Sequence, residues 1–286
     1  MRLTGRKSDC AHLGLEIRTF PILQLVIHLR HVLIRRLLIR PGAIGDFIVS
    51  LPALESLRAD YTEVWCAGQN VPLARFADSA QSIVASGLDG LGLLPAEHVV
   101  ERLRTFDSVI SWYGSNRPEF RELVRDLRLP FEFLSALPDG SCHAVEFYNR
   151  QARELGAQCP SRFPNIDCPA AERVFAVIHP FAANEAKRAP RRAFEQIAQK
   201  LSGNMPVHWL CGPEENLEGA IRIDDLYELA CWLRRARIFV GNDSGISHLA
   251  AAVGTPVLAF FRTTDPRIWA PRGPAVDVIN ADVIKF

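Results

Sequence analysis

The fold of this 286-residue chain is decided by residues 239–252, which read FVGNDSGISHLAAA. An apolar strand pattern ends at Val240, a glycine-bearing turn follows, and an alanine-rich helix pattern begins at Ile246. A strand, a tight turn and a helix in this order form the unit of a doubly wound sheet. Because the first turn of such a helix has backbone N–H groups without intrahelical acceptors, the stretch predicts an anion site at the carboxyl edge of a parallel sheet.

The same alternation continues on both sides of this stretch. Strands are predicted at 37–39, 63–67, 82–85, 108–112, 174–179, 207–211, 238–240 and 256–261, and helices at 47–58, 72–77, 97–104, 119–127, 143–155, 192–201, 224–235 and 246–253. Residues 158–169 hold three prolines and no periodicity, so they are predicted as a linker. We therefore expect two doubly wound α/β domains, at 37–168 and 169–286, that face a central cleft.

Composition and charge exclude several classes of protein. The chain is 48% hydrophobic and 23% charged, which is ordinary for a globular protein and excludes collagen-like or mainly disordered chains. The net charge of +1 hides seven basic and two acidic residues at 1–36, so the rest of the chain is mildly acidic and no nucleic-acid partner is expected. The seven cysteines are scattered without a Cys-x-x-Cys pair, which favours reduced, inert thiols over disulfides or zinc.

Residues 1–36 are predicted to form an amino-terminal extension outside both domains. Histidines and arginines interrupt the apolar run at 20–39, so neither a secretory signal nor a membrane-spanning helix is expected. The apolar residues of this run fall on one helical face. Two interpretations stay open: a basic amphipathic helix on an anionic membrane surface, or an upstream extension that packs on the body or is disordered.

The loop at 40–46, RPGAIGD, carries the first candidate residues. Gly42 and Gly45 permit a sharp turn and the close approach of a partner. Asp46 has two interpretations, a cap of the helix that follows or a general base for a substrate hydroxyl.

Residues 239–252 carry the second set of candidate residues. Asp243 is placed to cap the helix, Ser244 to donate to a phosphate oxygen, and His248 to add a donor or a positive charge. The alternative is a plain capped turn with a core histidine.

Two more loops leave the strands of the second half. Lys187 and Arg188 follow the strand at 174–179 and can meet a diphosphate, although bases on a loop are often only solvated. Glu214 and Glu215 follow the next strand and can accept ribose or sugar hydroxyls, or belong to a simple turn. No Asp-x-Asp occurs and the histidines are not spaced as metal ligands, so neither a metal nor a cofactor is expected.

These motifs resemble the heptosyltransferases of glycosyltransferase family 9. The resemblance rests on residues 40–54, on His179-Pro180 with Lys187, on residues 241–256, and on residues 264–271. It implies the GT-B fold and a metal-independent, inverting transfer of heptose from an ADP-linked donor to a lipid-linked acceptor of the lipopolysaccharide core. The partners are then a nucleotide-sugar and a lipid-linked glycan, and the location is the cytoplasm, with peripheral contact at the inner membrane.

The resemblance also implies roles for individual residues. The catalytic base falls on Asp46, the diphosphate-binding lysine on Lys187 and the donor-binding acid on Glu214. The phosphate loop falls on Asp243, Ser244, Gly245 and His248.

The chain departs from the family pattern in several places. Ala182 and Ala183 stand where donor-contacting hydroxyls are expected, and residues 212–224 are shorter than the usual passage. A non-catalytic nucleotide-binding or scaffold protein of the same fold is therefore the alternative. A nicotinamide-dependent oxidoreductase is disfavoured because the Gly-x-Gly-x-x-Gly fingerprint is missing.

Overall fold

Two five-stranded parallel sheets organise the chain. The computed structural model describes residues 33–92 and 97–282. The first sheet and its helices comprise β1 (Arg35–Arg40), α1 (Ile44–Ser56), β2 (Tyr61–Cys66), β3 (Ser79–Ser82), α2 (Ile83–Ser86), α3 (Glu97–Leu103), β4 (Ser108–Ser111), α4 (Pro118–Asp126), β5 (Phe131–Phe133) and α5 (Ala144–Glu154). The second comprises β6 (Phe175–His179), α6 (Arg191–Ser202), β7 (Val207–Trp209), α7 (Leu226–Leu233), β8 (Ala236–Asn242), α8 (Gly245–Ala252), β9 (Val257–Phe261), α9 (Pro266–Trp269) and β10 (Val276–Asn280).

The strand order of each sheet reverses once. The first sheet has the order β3-β2-β1-β4-β5 and the second β10-β9-β8-β6-β7. The reversals lie between β1 and β4 and between β6 and β8, and ligands of open α/β sheets bind at the carboxyl ends of the strands at such points. The loops that follow β1, β6 and β8 hold most of the candidate residues, so the topology brings these residues to the edges where ligands bind.

The core follows from the alternation of side chains along each strand. In β1, Leu37 and Ile39 face a cluster under α3 and α4, whereas Leu38 faces the opposite cluster with α1 and α5. In β6, Ile178 and Val177 likewise face opposite sides of their sheet and belong to different clusters. The cluster that contains Leu38 and Val177 is continuous between the sheets, and from Leu33 onward the chain forms one compact unit.

The expected α/β class with two Rossmann-like sheets is confirmed, and residues 158–169 contain no helix or strand. The assignment of separate domains to 37–168 and 169–286 stays a prediction. Of the extension predicted at 1–36, residues 1–32 lie outside the described residues.

The first strand starts two residues earlier than predicted, because Arg35 and Arg36 belong to the sheet. The Arg35 guanidinium lies 4.3 Å from the ring centre of Tyr61. Arg36 donates to the Ser108 hydroxyl at 2.9 Å and to the Leu57 carbonyl at 2.8 Å. These contacts let two basic side chains lie at the start of the central strand with their polar ends hydrogen-bonded.

The strand predicted at 82–85 is wrong in its position. The strand is β3, which ends at Ser82, and the Ser82 hydroxyl accepts the Ala85 N–H at 3.0 Å to begin α2. The helix predicted at 72–77 is a 3₁₀ turn at Gly68–Leu73. The short strand β5 and the last strand β10 were not predicted, because three residues of β5 are too few for a pattern and β10 alternates only weakly.

Candidate functional site

The loop after β1 turns sharply at Gly42, whose φ is +115°. A Cβ at this position would lie 2.9 Å from the Asp46 Cβ, so only glycine fits both the backbone and the neighbouring side chain. The Asp46 carboxylate accepts the Ala43 N–H at 3.1 Å. Ala43 is the cap residue of α1, so Asp46 belongs to the first turn and satisfies one of its free N–H groups. The half-buried carboxylate thus has a structural contact, which leaves its second oxygen for a substrate.

A buried arginine, Arg40, supports this loop and is not among the residues predicted from the sequence. The Arg40 guanidinium donates to the carbonyl of Asp46 at 3.0 Å, to the Ser50 hydroxyl at 3.1 Å and to the Tyr148 hydroxyl at 2.9 Å. Burial lowers the pKa of Arg40, against the opposing effects of Tyr148 and Asp46. Arg40 therefore ties the start of α1 to α5 and fixes the backbone that carries Asp46.

The amino ends of α1 and α8 meet through two glycines. A Cβ on Gly245 would lie 2.7 Å from the Ile44 Cβ and 3.1 Å from the Gly45 nitrogen. A Cβ on Gly45 would lie 3.3 Å from Cδ2 of His248. The sequence predicts the close approach of a partner at Gly42 and Gly45. For Gly45, this partner is the segment that contains Gly245 and His248, within residues 239–252. Both helices thus direct their positive ends and their free N–H groups to one place.

Asp243 does not cap α8, contrary to the first interpretation. The cap residue is Ser244, whose side chain makes no capping hydrogen bond. The Asp243 carboxylate is 4% exposed and accepts the Lys187 Nζ at 2.7 Å and the Thr264 hydroxyl. Residues Lys187 and Thr264 lie far from Asp243 in sequence, so no local pattern could have shown this pair. An ammonium has three N–H donors, and one contact to Asp243 leaves two for an anionic ligand.

Arg188 is folded against its own loop. Its guanidinium donates to the Ala182 carbonyl at 2.9 Å and lies 5.7 Å from the ring centre of Phe181. Its contact to the exposed carboxylate of Glu185 is long, at 3.4 Å. Arg188 therefore braces the loop with part of its guanidinium, and its role toward a donor stays a prediction.

Of the two carboxylates after β7, the structure anchors Glu215. The Glu215 Oε2 atom lies 3.1 Å from Nε2 of buried His179 and accepts the Gly212 N–H at 2.6 Å. Burial alone would raise the pKa of Glu215, but the contacts with His179 and Gly212 and the charge of Arg188 outweigh it and lower the pKa. Glu214 is exposed, and no side-chain hydrogen bond from it occurs within the described residues. The carboxylate that is held at the sheet edge therefore belongs to Glu215, whereas the resemblance to the family implies Glu214.

His248 is the residue at which both sides of the site meet. Burial lowers its pKa to about 4, while Asp243 and Asp46 oppose the shift and His143 and Lys187 add to it. The base candidate of the first half and the lysine of the second half therefore both lie within electrostatic range of one imidazole. His248 is neutral at pH 7, so it offers a hydrogen-bonding nitrogen rather than the positive charge considered from the sequence.

His143 is a second neutral imidazole beside this site. Its Nδ1 accepts the Val145 N–H at 3.1 Å, so the proton is on Nε2, which lies 2.9 Å from the Ala270 carbonyl. Burial lowers the pKa of His143 to about 4. The ring thus caps α5 and links it to the segment after α9.

These shifts predict a loss of stability in mild acid. A histidine whose pKa is lower in the folded state stabilises the fold fully above pH 6.5, and this contribution is lost as the pH falls toward 4. At pH 5 the loss is roughly 2 kcal/mol for each ring. Between pH 7 and pH 5, His143→Asn should therefore lose about 2 kcal/mol less unfolding free energy than the wild type, measured by urea denaturation. Asparagine keeps the cap without titrating, so equal losses in both proteins would contradict the assigned state of His143.

Between residues 33 and 92 and between 97 and 282, no three His, Cys, Asp or Glu side chains gather into a cation site. No helix within these ranges is both long and apolar enough to cross a bilayer. The cysteines in the same part of the chain are free thiols.

Comparisons of the sequence with known proteins point to the heptosyltransferases. Residues 142–284, half of the chain, match the family model of glycosyltransferase family 9 (heptosyltransferase). A 44-residue segment is 43% identical to lipopolysaccharide heptosyltransferase 3 of Escherichia coli, and the match spans 15% of this chain and 13% of that protein.

Two solved structures share the fold over most of their length. A family 9 glycosyltransferase from Veillonella parvula superposes with a TM-score of 0.68 at 18% identity, covering 86% of this chain and 85% of its own. The ADP-heptose lipopolysaccharide heptosyltransferase II of E. coli gives 0.65 at 18% identity, covering 86% and 90%. The matched family model, which contains the loops of Lys187 and Asp243, together with this shared GT-B fold, shows that the chain belongs to glycosyltransferase family 9, the heptosyltransferases, and is a glycosyltransferase.

Proposed function

We propose that this glycosyltransferase moves a heptose from an ADP-linked donor to a lipid-linked glycan of the lipopolysaccharide core, with inversion at the anomeric carbon. One observation carries the proposal, the contact of the α1 and α8 amino ends through Gly45 and Gly245. In this proposal, a carboxylate of the first sheet lies beside an anion site of the second. A transfer needs these two groups on opposite sides of the reacting carbon.

Asp46 is the base in this proposal. An acceptor hydroxyl attacks the anomeric carbon from the face opposite the diphosphate, and the free oxygen of Asp46 takes the hydroxyl proton as the new C–O bond forms. The hydrogen bond from Ala43 and the buried Arg40 hold the carboxylate and its backbone in place. Attack from the opposite face inverts the configuration.

The leaving diphosphate is received by the second sheet. The bond from the anomeric carbon to the diphosphate oxygen breaks, and its electron pair leaves with ADP. The free N–H groups of the first turn of α8 and the two remaining N–H donors of Lys187 then stabilise the developing charge. These groups supply positive charge without a metal ion, which supports a metal-independent reaction.

The nucleoside end of the donor lies toward β7 in this proposal. Glu215 keeps Oε1 free while Oε2 bonds to His179 and Gly212, and a fixed carboxylate oxygen accepts well from a ribose hydroxyl. We therefore assign the ribose contact to Glu215 rather than to Glu214. An ADP-heptose donor is supported by the name of the E. coli relative of the same fold. Because the acceptor is lipid-linked, the enzyme works at the cytoplasmic face of the inner membrane.

A panel of nucleotide-sugars tests the donor. At 100 times its Kd, a ligand of the folded state adds about 2.7 kcal/mol of stability, which raises the Tm by roughly 5 °C for a chain of this size. We expect this shift with ADP-heptose and not with UDP- or GDP-sugars, and transfer to a heptose-free lipopolysaccharide core. Equal shifts with all nucleotides would contradict the donor assignment. Binding without transfer to any core acceptor would favour the non-catalytic alternative.

A further inference from the structure

The loop that carries Lys187 is closed at both ends by one buried side chain. Asn242, the last residue of β8, is fully buried. Its Nδ2 donates to the Pro180 carbonyl at 2.8 Å, and its Oδ1 accepts the Ala189 N–H at 2.8 Å. Both ends of the loop at residues 180–189 are thus hydrogen-bonded to the same side-chain amide.

The same residue is joined to the anion site. The Asn242 carbonyl accepts the Ser247 hydroxyl at 2.5 Å, inside the first turn of α8. The next residue, Asp243, holds the Lys187 ammonium. Asn242 therefore connects the backbone of the lysine loop to the end of β8, and the residue that follows it contacts the lysine itself.

The chemistry of the amide suits this position. An amide offers a donor and an acceptor on one rigid plane, and the loop presents one carbonyl and one N–H to it. An apolar residue would leave both loop groups buried without partners, which is strongly unfavourable. Asparagine satisfies both at once, and it does so without adding a charge beside Asp243.

We propose that Asn242 is a positioning residue for donor binding, which sets the affinity for a nucleoside diphosphate by holding the loop of Lys187 in register with the α8 amino end. The proposal rests on the proposed function, because the ligand is the donor diphosphate. Asn242 itself does not touch the ligand. Its whole effect on affinity passes through Lys187.

A double-mutant cycle separates this role from a general effect on folding. The probe is ADP, and its Kd is measured by calorimetry at pH 7. Asn242→Ala should weaken ADP binding roughly tenfold in the wild-type background, and by less than about twofold in a Lys187→Met background. Independent sites would instead give the same factor in both backgrounds.

A matched control removes another fully buried asparagine. Asn149 lies in α5 and donates to the Ser161 carbonyl at 2.8 Å. Asn149→Ala should lower the Tm and leave the Kd for ADP unchanged. If Asn242→Ala does not fold, Asn242→Ser serves, because its hydroxyl adds no charge beside Asp243 and is too short to satisfy the Pro180 carbonyl and the Ala189 N–H at once.

The outcomes are distinct. A tenfold effect that disappears without Lys187 supports the proposal. Wild-type affinity in the folded Asn242 variant, or the same loss of affinity in both backgrounds, overturns it. Failure of the wild-type protein to bind ADP overturns the proposed donor class instead, and leaves no affinity for Asn242 to set.

Discussion

Asp46→Asn should lower the rate of sugar transfer by about 10²–10⁴ while the Kd for ADP changes less than about twofold, because general-base catalysis contributes a factor of this size. Asparagine can still accept the Ala43 N–H, so the loop keeps its shape and the start of α1 is preserved. It cannot take the proton of an acceptor hydroxyl. In the proposed mechanism, the affinity for ADP depends on groups of the second sheet, which the substitution does not change.

Asp225→Asn is the matched control for this variant. Asp225 lies at the start of α7, and its carboxylate accepts the N–H groups of Tyr227 and Glu228 at 2.8 and 2.9 Å. Both substitutions remove one negative charge from a helix amino end. The rates should be measured at saturating donor, with the Kd for ADP determined separately. Transfer at the wild-type rate by Asp46→Asn would show that another group takes the proton.

The sequence predicts the parts of this site that depend on local patterns. Apolar runs alternate with helical periods, so the strand before each loop and the helix after it are visible in residues 239–252 and 37–58. A loop between a parallel strand and a helix must lie at the carboxyl edge of the sheet. The positions of Asp46, Lys187 and Ser244 at such edges therefore follow from pattern alone.

The pairings between loops do not follow from any local pattern. Asp243 and Lys187 are 56 residues apart, and the local sequence around Asp243 predicts a helix cap because it does not contain the lysine. Glu214 and Glu215 are equivalent as neighbouring carboxylates in the sequence, and only the structure shows that Glu215 reaches His179. Each choice depends on the register between β6, β7 and β8, which single-sequence periodicity leaves undetermined.

The short elements at the sheet edges are a separate case. The strand β5 has only three residues, Phe131–Phe133, and is held by pairing with β4 rather than by its own pattern. The helix α2 begins because Ser82 ends a strand and caps the next turn, and one serine serves both elements. Such junctions need the tertiary structure to be placed within two or three residues.

The second large effect is expected at the contact between the two helix ends. Gly245→Ala places a Cβ 2.7 Å from the Ile44 Cβ and 3.1 Å from the Gly45 nitrogen, and a backbone nitrogen cannot move aside as a flexible side chain can. Overpacking of this kind destabilises by about 1–3 kcal/mol. We expect a lower unfolding free energy in urea, and a transfer rate reduced at least tenfold, since displacement by about 1 Å misaligns reacting groups.

Gly203→Ala is the control, since its Cβ meets only the Lys200 carbonyl at 3.8 Å, and its stability should stay within about 0.5 kcal/mol of the wild type. Gly45→Ala tests the same contact more gently, because its nearest neighbour is the imidazole edge of His248 at 3.3 Å. The losses of stability and of transfer rate should therefore increase from Gly203→Ala to Gly45→Ala to Gly245→Ala. This is the order of how far each substitution must move α1 from α8. Wild-type stability and rate in Gly245→Ala would mean that the two helix ends do not touch in solution. The proposed mechanism would then lose the contact by which Asp46 and the diphosphate site lie on opposite sides of one sugar.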